Sequence, residues 1–392
     1  MALQSRRSFL QLTGIAAVPA VVGGGWLMSS AAADTKQAAT TPAAATPAAF
    51  RDFDRYVREL ADADKFSGTV LVSRNGRQVL SRAYGYADRK KQVRNQAGTI
   101  YCLASVTKLF TAVAVGQLVQ RGALNLLDPI GKYLTGFTAD VADHVTVHQL
   151  LTHTSGLGDF MRDPGYFEEA AKWTSGQQMM DGTLQFARGE KLAFVPGSGS
   201  QYSNSGYHTL GCIVAKVAGK TYYEYVRNHI FRPAGMSTAD FTTMPQWRSG
   251  SQYAHPYPAD QSGKRSDALD GNIFAFIGNP AGNAMASAND MVRFAQAVND
   301  GTLLNAEYKE IFLSPKVPKP PRAGAQESAA FAAYATDDLL VNGKWVYGHP
   351  GGAPGVSTSV EWYPGTGWTA VCLSNYDSSL AVNQRLREIL TS

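Results

Sequence analysis

The order of apolar and polar positions places β-rich segments near both ends of the chain and helical segments between them. Residues 66–88 form two runs around Asn75-Gly76, which is the strongest short-range signal for a β-hairpin. Residues 355–377 form two more runs around the turn residues 364–367. Because strands from both ends of a chain can pair in one sheet, the pattern predicts an α/β fold of the α+β type. We expect an antiparallel sheet built from both chain ends and flanked by helices. A mostly helical subdomain is expected to be inserted at about residues 125–310.

Helical periodicity predicts the helices around this insertion. Residues 53–63 and 383–392 have the apolar spacing of helices near the two ends of the chain. Residues 105–122 form an apolar helix with a possible cap at Ser105 and an end at Gly122. Residues 287–301 carry a complete set of end signals, with Ser287 at the cap, Asp290 in the first turn and Gly301 at the end.

The N-terminal part is predicted to direct export rather than to fold. Residues 1–33 contain Arg6 and Arg7, then an apolar stretch and small residues, and this order is typical of a twin-arginine signal peptide. A retained membrane anchor over residues 12–28 is the alternative, which Pro19 and the glycines weaken. Residues 34–49 are predicted to be a disordered linker rich in Ala, Thr and Pro, and residues 50–392 to be the folded domain. The expected location is the periplasm or the outside of the cell, with membrane contact only during export.

Composition limits the classes of function. The chain has 392 residues, of which 44% are hydrophobic and 17% are charged, and such a composition is globular. A formal net charge of +5 is too small and too dispersed to predict nucleic-acid binding. Cys102, Cys212 and Cys372 lie far apart in apolar surroundings, so they predict buried thiols, although one pair could bond in an oxidising compartment.

Ser105 and Lys108 are the first candidates for chemistry, although roughly one S-x-x-K is expected by chance in such a chain. Residues three apart on a helix share a face, so the lysine amine can reach the serine hydroxyl. The N-terminus of a helix favours developing negative charge, and a lysine that burial keeps partly neutral can accept a proton. The pair is therefore chemically sensible but does not define a site by itself.

Two further motifs follow in chain order. Tyr202 and Asn204 form the only Y-x-N in the chain. His349 and Pro350 are followed by Gly351 and Gly352 just before the last strands, and glycines there let the backbone approach a ligand closely.

In this order the motifs resemble those of the serine β-lactamases and penicillin-binding proteins. The similarity is to the branch with tyrosine in the second motif, which includes class C β-lactamases, D-aminopeptidases, DD-carboxypeptidases and esterases. Residues 144–157, 194–207, 278–298 and 348–367 resemble segments of this family as well. The resemblance spans about residues 65–378 and implies a β-lactamase/transpeptidase-like fold with a catalytic domain over residues 50–392.

The resemblance also implies roles for the motif residues. Ser105 would attack the substrate carbonyl group and become acylated. Lys108 and Tyr202 would share the proton transfers, and the choice of the main base stays open. Asn204 would bind the substrate and help to orient Lys108. The backbone N–H groups of Ser105 and Gly352 would form the oxyanion hole.

The third motif departs from the family pattern. His349 stands where β-lactamases have the lysine of K-T-G, while Gly351 matches the glycine of that motif in the substrate site. Since histidine is only partly charged near neutral pH, a strict requirement for an anionic substrate is not expected. Pro350 removes a backbone donor from the strand that would line the cleft. Gly282-Asn283 stands where two glycines are expected, which would alter a wall of the cleft.

Other histidines have structural explanations. His153 is predicted to hold a turn beneath the site rather than to act as the base of a Ser/His pair. His144 and His148 are four residues apart, but no H-E-x-x-H motif accompanies them, and a surface helix explains the spacing better than a metal site does.

Together these features predict an exported serine hydrolase that forms an acyl-enzyme on Ser105 and uses no metal or cofactor. The expected substrates are carboxylic esters or D-amino-acid-containing amides and peptides, and peptidoglycan fragments are candidate partners. A β-lactamase or a DD-carboxypeptidase is the alternative, and a non-catalytic binder of cell-wall peptides is the alternative of a different class. The sequence makes no prediction of the oligomeric state.

Overall fold

The computed structural model describes residues 48–320 and 326–392. The predicted signal peptide and residues 34–47 of the predicted linker lie outside the described residues. The first helix begins at Ala48, so Ala48 and Ala49 of the predicted linker lie within it. Alanine is the most favourable residue in a helix, and the neighbouring Phe50 is buried, so the helix extends to this point.

The helices and strands are numbered here in chain order. The strands are β1 (Gly68–Arg74), β2 (Arg77–Tyr84), β3 (Tyr86–Asp88), β4 (Val93–Arg94), β5 (Tyr101–Cys102), β6 (Met285–Ala286), β7 (Val317–Pro318), β8 (Ala329–Ala332), β9 (Asp337–Val341), β10 (Lys344–Ala353), β11 (Val356–Tyr363) and β12 (Trp368–Ser374). The helices are α1 (Ala48–Asp62), α2 (Lys108–Gln120), α3 (Ala139–His144), α4 (Val147–Leu151), α5 (Tyr166–Ala170), α6 (Gly176–Gly189), α7 (Asn204–Ala218), α8 (Tyr222–Val226), α9 (Met244–Ser249), α10 (Ala288–Asn299), α11 (Ala306–Leu313) and α12 (Leu380–Thr391).

The main sheet has eight strands in the order β2-β1-β12-β11-β10-β9-β8-β7, and all neighbours are antiparallel. Strand β1 lies beside β12, with Gly68 opposite Ser374, so strands from the two ends of the domain are neighbours in one sheet. The predicted hairpin is confirmed: Asn75 and Gly76 join β1 to β2 with φ of 47° and 76°. Positive φ at both central residues is the requirement of a tight two-residue turn.

The sheet is covered by helices on both faces. Adjacent residues of β1 show this, because Val70 packs in a cluster with α1 and α12 whereas Leu71 packs in the larger cluster with α2 and α10. The helices α2 to α9 lie between β5 and β6 in the chain and form most of the inserted part. The predicted fold class is therefore confirmed.

Helix α2 is the central helix of this arrangement. Its residues from Lys108 to Leu118 are buried on every face, which is typical of a helix surrounded by other elements. Its first residue thus lies inside the protein, while the turn before it reaches the cleft. Within the described residues, no helix is long and apolar enough to cross a membrane. The three cysteines are buried and unpaired, as predicted.

Candidate active site

Ser105 lies in a tight turn between β5 and α2. A 3₁₀ turn over Ala104–Thr107 runs directly into Lys108, and the hydroxyl of Thr107 donates to the carbonyl oxygen of Ala104 at 2.7 Å. Ala104 has a φ of 44°, a left-handed conformation that costs energy for a residue with a side chain and is found mainly at functional sites. The possible helix cap at Ser105 is wrong, because the turn begins one residue earlier and is capped by no side chain. The serine hydroxyl is therefore free for other contacts.

The hydroxyl of Ser105 contacts both of its predicted partners. Tyr202 Oη donates to Ser105 Oγ at 2.7 Å, and Lys108 Nζ donates to the same oxygen at 3.3 Å. The structure thus brings together residues that are far apart in the sequence. The amine of Lys108 and the phenol of Tyr202 both hydrogen-bond the hydroxyl of Ser105.

Lys108 is fully buried, and its amine has a defined set of partners. Besides Ser105, Nζ donates to Asn204 Oδ1 at 2.7 Å and to the carbonyl oxygen of Ala281 at 2.6 Å. No carboxylate is among these bonds. Burial lowers the pKa of Lys108 to about 7, and the more distant Asp159 opposes this shift. A large fraction of the amine is therefore neutral near pH 7.

Tyr202 and Asn204 are positioned by the start of α7. Ser203 caps this helix through its Oγ, which accepts from the backbone N–H of Gly206 at 2.8 Å. The same hydroxyl donates to the carbonyl oxygen of Gly158 at 2.8 Å and so fixes the segment to the neighbouring loop. The residues on either side of the cap then both point to the region of Ser105.

His153 supports this segment from below. Its Nδ1 accepts from the backbone N–H of Ser203 at 3.0 Å, and its ring centre lies 4.6 Å from that of Tyr202. Burial and the nearby Lys108 hold the pKa of His153 well below its usual range, so the ring is neutral and can accept. These contacts are those of a histidine that holds a turn, and its position agrees with that prediction.

Asp159 belongs to the site but was missed from the sequence. Its Oδ2 accepts from Asn204 Nδ2 at 2.9 Å, which turns the amide oxygen of Asn204 toward Lys108. An amide has one accepting and one donating end, so a carboxylate on one side fixes which end faces the other. The only local signal was its place two residues beyond the segment 144–157 that resembles the family.

Strand β10 brings the third motif against the serine turn. It pairs with β9 only as far as Gly348, and the next four residues, 349–352, line the cleft. A Cβ atom on Gly351 would lie 2.3 Å from the carbonyl oxygen of Leu103 and 3.2 Å from the backbone nitrogen of Ser105. Glycine is therefore required at this close approach, whereas the space beside Gly352 is open.

His349 does not provide a fixed cation in this motif. Its side chain is buried and its ring lies nearly parallel to that of Tyr202, with the centres 6.5 Å apart. Burial, with Lys108 and Lys319 adding to it, holds the pKa of His349 well below its usual range. Neither ring nitrogen has a hydrogen-bond partner among the described protein atoms. The imidazole is therefore neutral and available for hydrogen bonding.

Two cavities meet at Ser105. The first, called here the apolar cavity, has a volume of about 600 Å³ and is lined by residues that include Phe160, Met161, Tyr166, Phe167, Ile273 and Phe274. The second, called the polar cavity, has a volume of about 440 Å³ and is lined by residues that include His153, Tyr202, Lys319, Thr336, Asp337 and His349. Gly352 lines both cavities, so a substrate carbonyl group beside Ser105 has a different environment on each side.

Two further predictions concern the surroundings of the site. Asn283 has a φ of 68° and donates its backbone N–H to the carbonyl oxygen of Ala104 at 3.1 Å, so it occupies a conformation that glycine adopts easily and asparagine tolerates. It lines the apolar cavity, as expected for a change in the cleft wall. The prediction of one surface helix with both His144 and His148 is wrong, because His144 ends α3 and His148 lies in α4. His148 Nδ1 hydrogen-bonds the hydroxyl of Tyr334 at 2.7 Å.

Comparison with known proteins agrees with this geometry. The family model described as Beta-lactamase matches residues 53–390. PbpX of Bacillus subtilis (strain 168), which is named as a penicillin-binding protein, is 33% identical over 264 residues, covering 66% of this chain and 61% of PbpX. The chain thus spans less than two thirds of the length of this relative.

Solved structures show the same fold. A penicillin binding protein from Bacillus halodurans superposes with a TM-score of 0.75 at 27% identity and covers 86% of this chain and 99% of its own. A D-stereospecific amidohydrolase from Streptomyces sp. superposes with a TM-score of 0.70 at 23% identity and covers 85% of this chain and 97% of its own. At 23% identity, the comparison with the amidohydrolase shows a shared fold only.

Proposed function

The chain belongs to the Beta-lactamase family of serine hydrolases, and from that premise we propose that it is an exported enzyme that forms an acyl-enzyme on Ser105. Its proposed substrates are carboxylic esters or D-amino-acid amides. The observation that carries the proposal is the hydroxyl of Ser105, held at 2.7 Å by Tyr202 and at 3.3 Å by a buried Lys108. A nucleophile bonded to a group that can take its proton is the general requirement for covalent catalysis by serine.

Acylation begins with attack of Ser105 Oγ on the substrate carbonyl carbon. The hydroxyl proton passes to the pair formed by Lys108 and Tyr202, and the pair then gives a proton to the departing alcohol or amine. Burial raises the pKa of Tyr202, so this phenol keeps its proton in the resting state, whereas about half of Lys108 is neutral at pH 7. We therefore propose Lys108 as the resting base and Tyr202 as the group that relays the proton. In deacylation, water gives a proton to the same pair and attacks the ester carbon. The bond between that carbon and Ser105 Oγ then breaks, the pair returns the proton to Oγ, and the acid leaves.

The negative charge of the tetrahedral intermediate requires donors beside Ser105. We propose the backbone N–H groups of Ser105 and Gly352, which come from the serine turn and from the cleft-lining part of β10. Backbone N–H groups alternate between the two edges of a strand, so positions 350 and 352 face the same edge. Because Pro350 carries no N–H, Gly352 provides the donor at this edge. Removing one such donor typically costs about 10²–10³ in kcat.

The charge of the cleft separates the candidate substrates. A β-lactam or a peptide ending in D-Ala-D-Ala carries a carboxylate, which a cation in the third motif would help to bind. Here His349 is neutral, and the nearby Lys319 forms an ion pair with Asp337. Neutral esters and amides are therefore favoured over these anionic substrates.

The substrate panel that tests the proposal contains p-nitrophenyl acetate, D-phenylalanine amide, a D-Ala-D-Ala peptide and nitrocefin. We expect the ester or the D-amide to have the highest kcat/KM and a fluorophosphonate probe to label Ser105. Preferred cleavage of the peptide or of nitrocefin would instead support the DD-carboxypeptidase or the β-lactamase. A folded protein that neither reacts with the probe nor cleaves any of the four would support the non-catalytic binder.

Export is a separate part of the proposal and has its own prediction. Replacing both Arg6 and Arg7 with lysine keeps the charge but removes the arginine pair that the twin-arginine route recognises. We expect the precursor to stay in the cytoplasm, as measured by cell fractionation and immunoblotting. Unchanged delivery of the double variant would contradict the proposed route.

The substitution Asp159→Asn tests the electrostatic environment of Lys108. The carboxylate of Asp159 raises the pKa of Lys108 against the larger effect of burial, so removing its charge should lower that pKa further. In the parent protein kcat/KM should rise with pH through about 7 as Lys108 loses its proton. In the variant this rise should occur at lower pH, as measured by a pH–rate profile with a neutral ester.

Asp163→Asn is the matched control for this prediction. Asp163 lies four residues further along the same loop, but it is exposed and is not among the groups that shift the pKa of Lys108. Its pH–rate profile should overlay that of the parent. A profile of Asp159→Asn that moves to higher pH would show that the lysine is not the group being titrated.

A further inference from the structure

We infer that the apolar cavity binds the acyl group of the substrate and the polar cavity the leaving group, so that the enzyme prefers esters of bulky, uncharged, hydrophobic carboxylic acids. This inference rests on the proposed function and makes it more specific. It chooses hydrophobic esters over D-amino-acid amides, whose acyl group carries an ammonium.

The lining of the apolar cavity is the first argument. None of the residues that line it carries a formal charge, and most of its wall is aromatic or aliphatic. Phe160 and Phe167 both pack against Tyr166, with ring centres 4.6 Å and 5.4 Å apart, so the aromatic wall is continuous. An ammonium group placed here would lose its water without gaining an opposite charge, and that loss is unfavourable.

The mouth of the cavity is the second argument. Met161, Phe167 and Ile273 keep 41%, 44% and 44% of their surfaces exposed, although large hydrophobic side chains are usually covered. All three line the apolar cavity. Exposed apolar side chains grouped around one cavity mark a binding surface, and here they line the same cavity as Ser105. The patch therefore belongs to the substrate path.

The position of Tyr202 assigns the two halves of the substrate. Its hydroxyl bonds Ser105 and its ring lines the polar cavity, and it is not among the residues of the apolar cavity. The group that receives a proton from the Lys108–Tyr202 pair is the leaving alcohol, so this alcohol must lie on the Tyr202 side. The acyl group then occupies the other side of Ser105, which is the apolar cavity.

The size of the cavity predicts the response to acyl length. A volume of about 600 Å³ lies within the usual range for ligand cavities and greatly exceeds the need of an acetyl group. Each methylene group buried in an apolar site is worth about a fourfold gain in kcat/KM. The gain should continue until the acyl chain fills the cavity.

Two isomeric esters test the assignment directly. Ethyl octanoate and octyl acetate have the same composition, but the long chain is on the acyl side in the first and on the alcohol side in the second. Hydrolysis can be followed by pH-stat titration with the mature protein. We expect kcat/KM for ethyl octanoate to be at least about tenfold higher, because only this isomer fills the apolar cavity with its acyl group.

A rim substitution adds a second measurement. Ile273→Asp places a charge at the mouth of the apolar cavity and should lower the ratio of kcat/KM for the two isomers about tenfold. Leu127→Asp is the matched control, because Leu127 is 74% exposed and does not line either cavity, and its ratio should equal that of the parent.

The outcomes separate this inference from the proposed function. Equal rates for the isomers, or a preference for octyl acetate, would overturn the assignment of the cavities while the ester hydrolase stands. Faster cleavage of D-phenylalanine amide than of any ester would overturn the preference for an uncharged acyl group. If neither these substrates nor an activated ester is cleaved, the proposed function fails and the inference fails with it.

Discussion

Replacing Ser105 with alanine is expected to abolish hydrolysis of p-nitrophenyl acetate and covalent labelling by a fluorophosphonate probe, with a loss of at least about 10³-fold in kcat/KM. The reason is geometric: Ser105 Oγ is the atom on which Tyr202 and Lys108 converge, and no other hydroxyl of the described residues bonds both of them. Because this hydroxyl does not cap α2, its removal should leave the free energy of unfolding nearly unchanged.

A second serine at the start of a helix provides the control. Ser287 is buried and caps α10 in a reciprocal arrangement with Asp290. Ser287→Ala should lower the free energy of unfolding in urea by about 1 kcal/mol and leave kcat/KM unchanged in the folded protein. Ser105→Ala should thus lose activity but not stability, and Ser287→Ala should lose stability but not activity. Retention of the parental rate in Ser105→Ala would contradict its assignment as the nucleophile.

The same pair shows what could be predicted from the sequence. Ser287 has its partner three residues away, and this local signal predicted the cap correctly. The Asn75-Gly76 turn was equally readable, because the required φ values depend on two neighbouring residues. Ser105 also precedes an apolar helix, and local pattern suggested a cap there. What distinguishes it is the contact with Tyr202, which is 97 residues away.

The parts that were missed depend on long-range contacts. Strands β7 to β9 are short and lack a strong local pattern, so their place at the edge of the sheet follows from pairing with β10. Asp159 acts through Asn204, and nothing in its local sequence indicates this partner. The apolar cavity is formed by segments near residues 160–179 and 272–283, which meet only in the folded chain.

His349 shows how sequence and structure divide the substrate question. The sequence revealed a departure from lysine and predicted a weaker requirement for an anion. The structure adds that the ring is buried and stacked on Tyr202, and these surroundings keep the imidazole neutral. The sequence allowed a partly charged His349, whereas the structure gives it a neutral ring. The expectation therefore changes from tolerance of neutral substrates to a preference for them.

Replacing Lys108 with methionine is expected to lower kcat/KM for a neutral ester by about 10²–10⁴-fold, which is the usual contribution of a general base. Methionine is close to lysine in length and fills the buried space, so the variant removes the amine without a large cavity. The parent should lose activity below about pH 7 as Lys108 is protonated, and this ionisation should be absent from the residual activity of the variant.

Lys216→Met is the matched control for this substitution. Lys216 is exposed on α7, the helix whose first residue is Asn204, so the same chemical change occurs on a connected element but outside the site. Its kcat/KM and pH–rate profile should match those of the parent, and urea unfolding should show that both variants are folded under the assay conditions. Because Tyr202 keeps its proton in the resting state, it cannot replace the missing base near neutral pH. If Lys108→Met retained most of the activity, or kept the ionisation near pH 7, the proton acceptor would have to be a group other than this lysine.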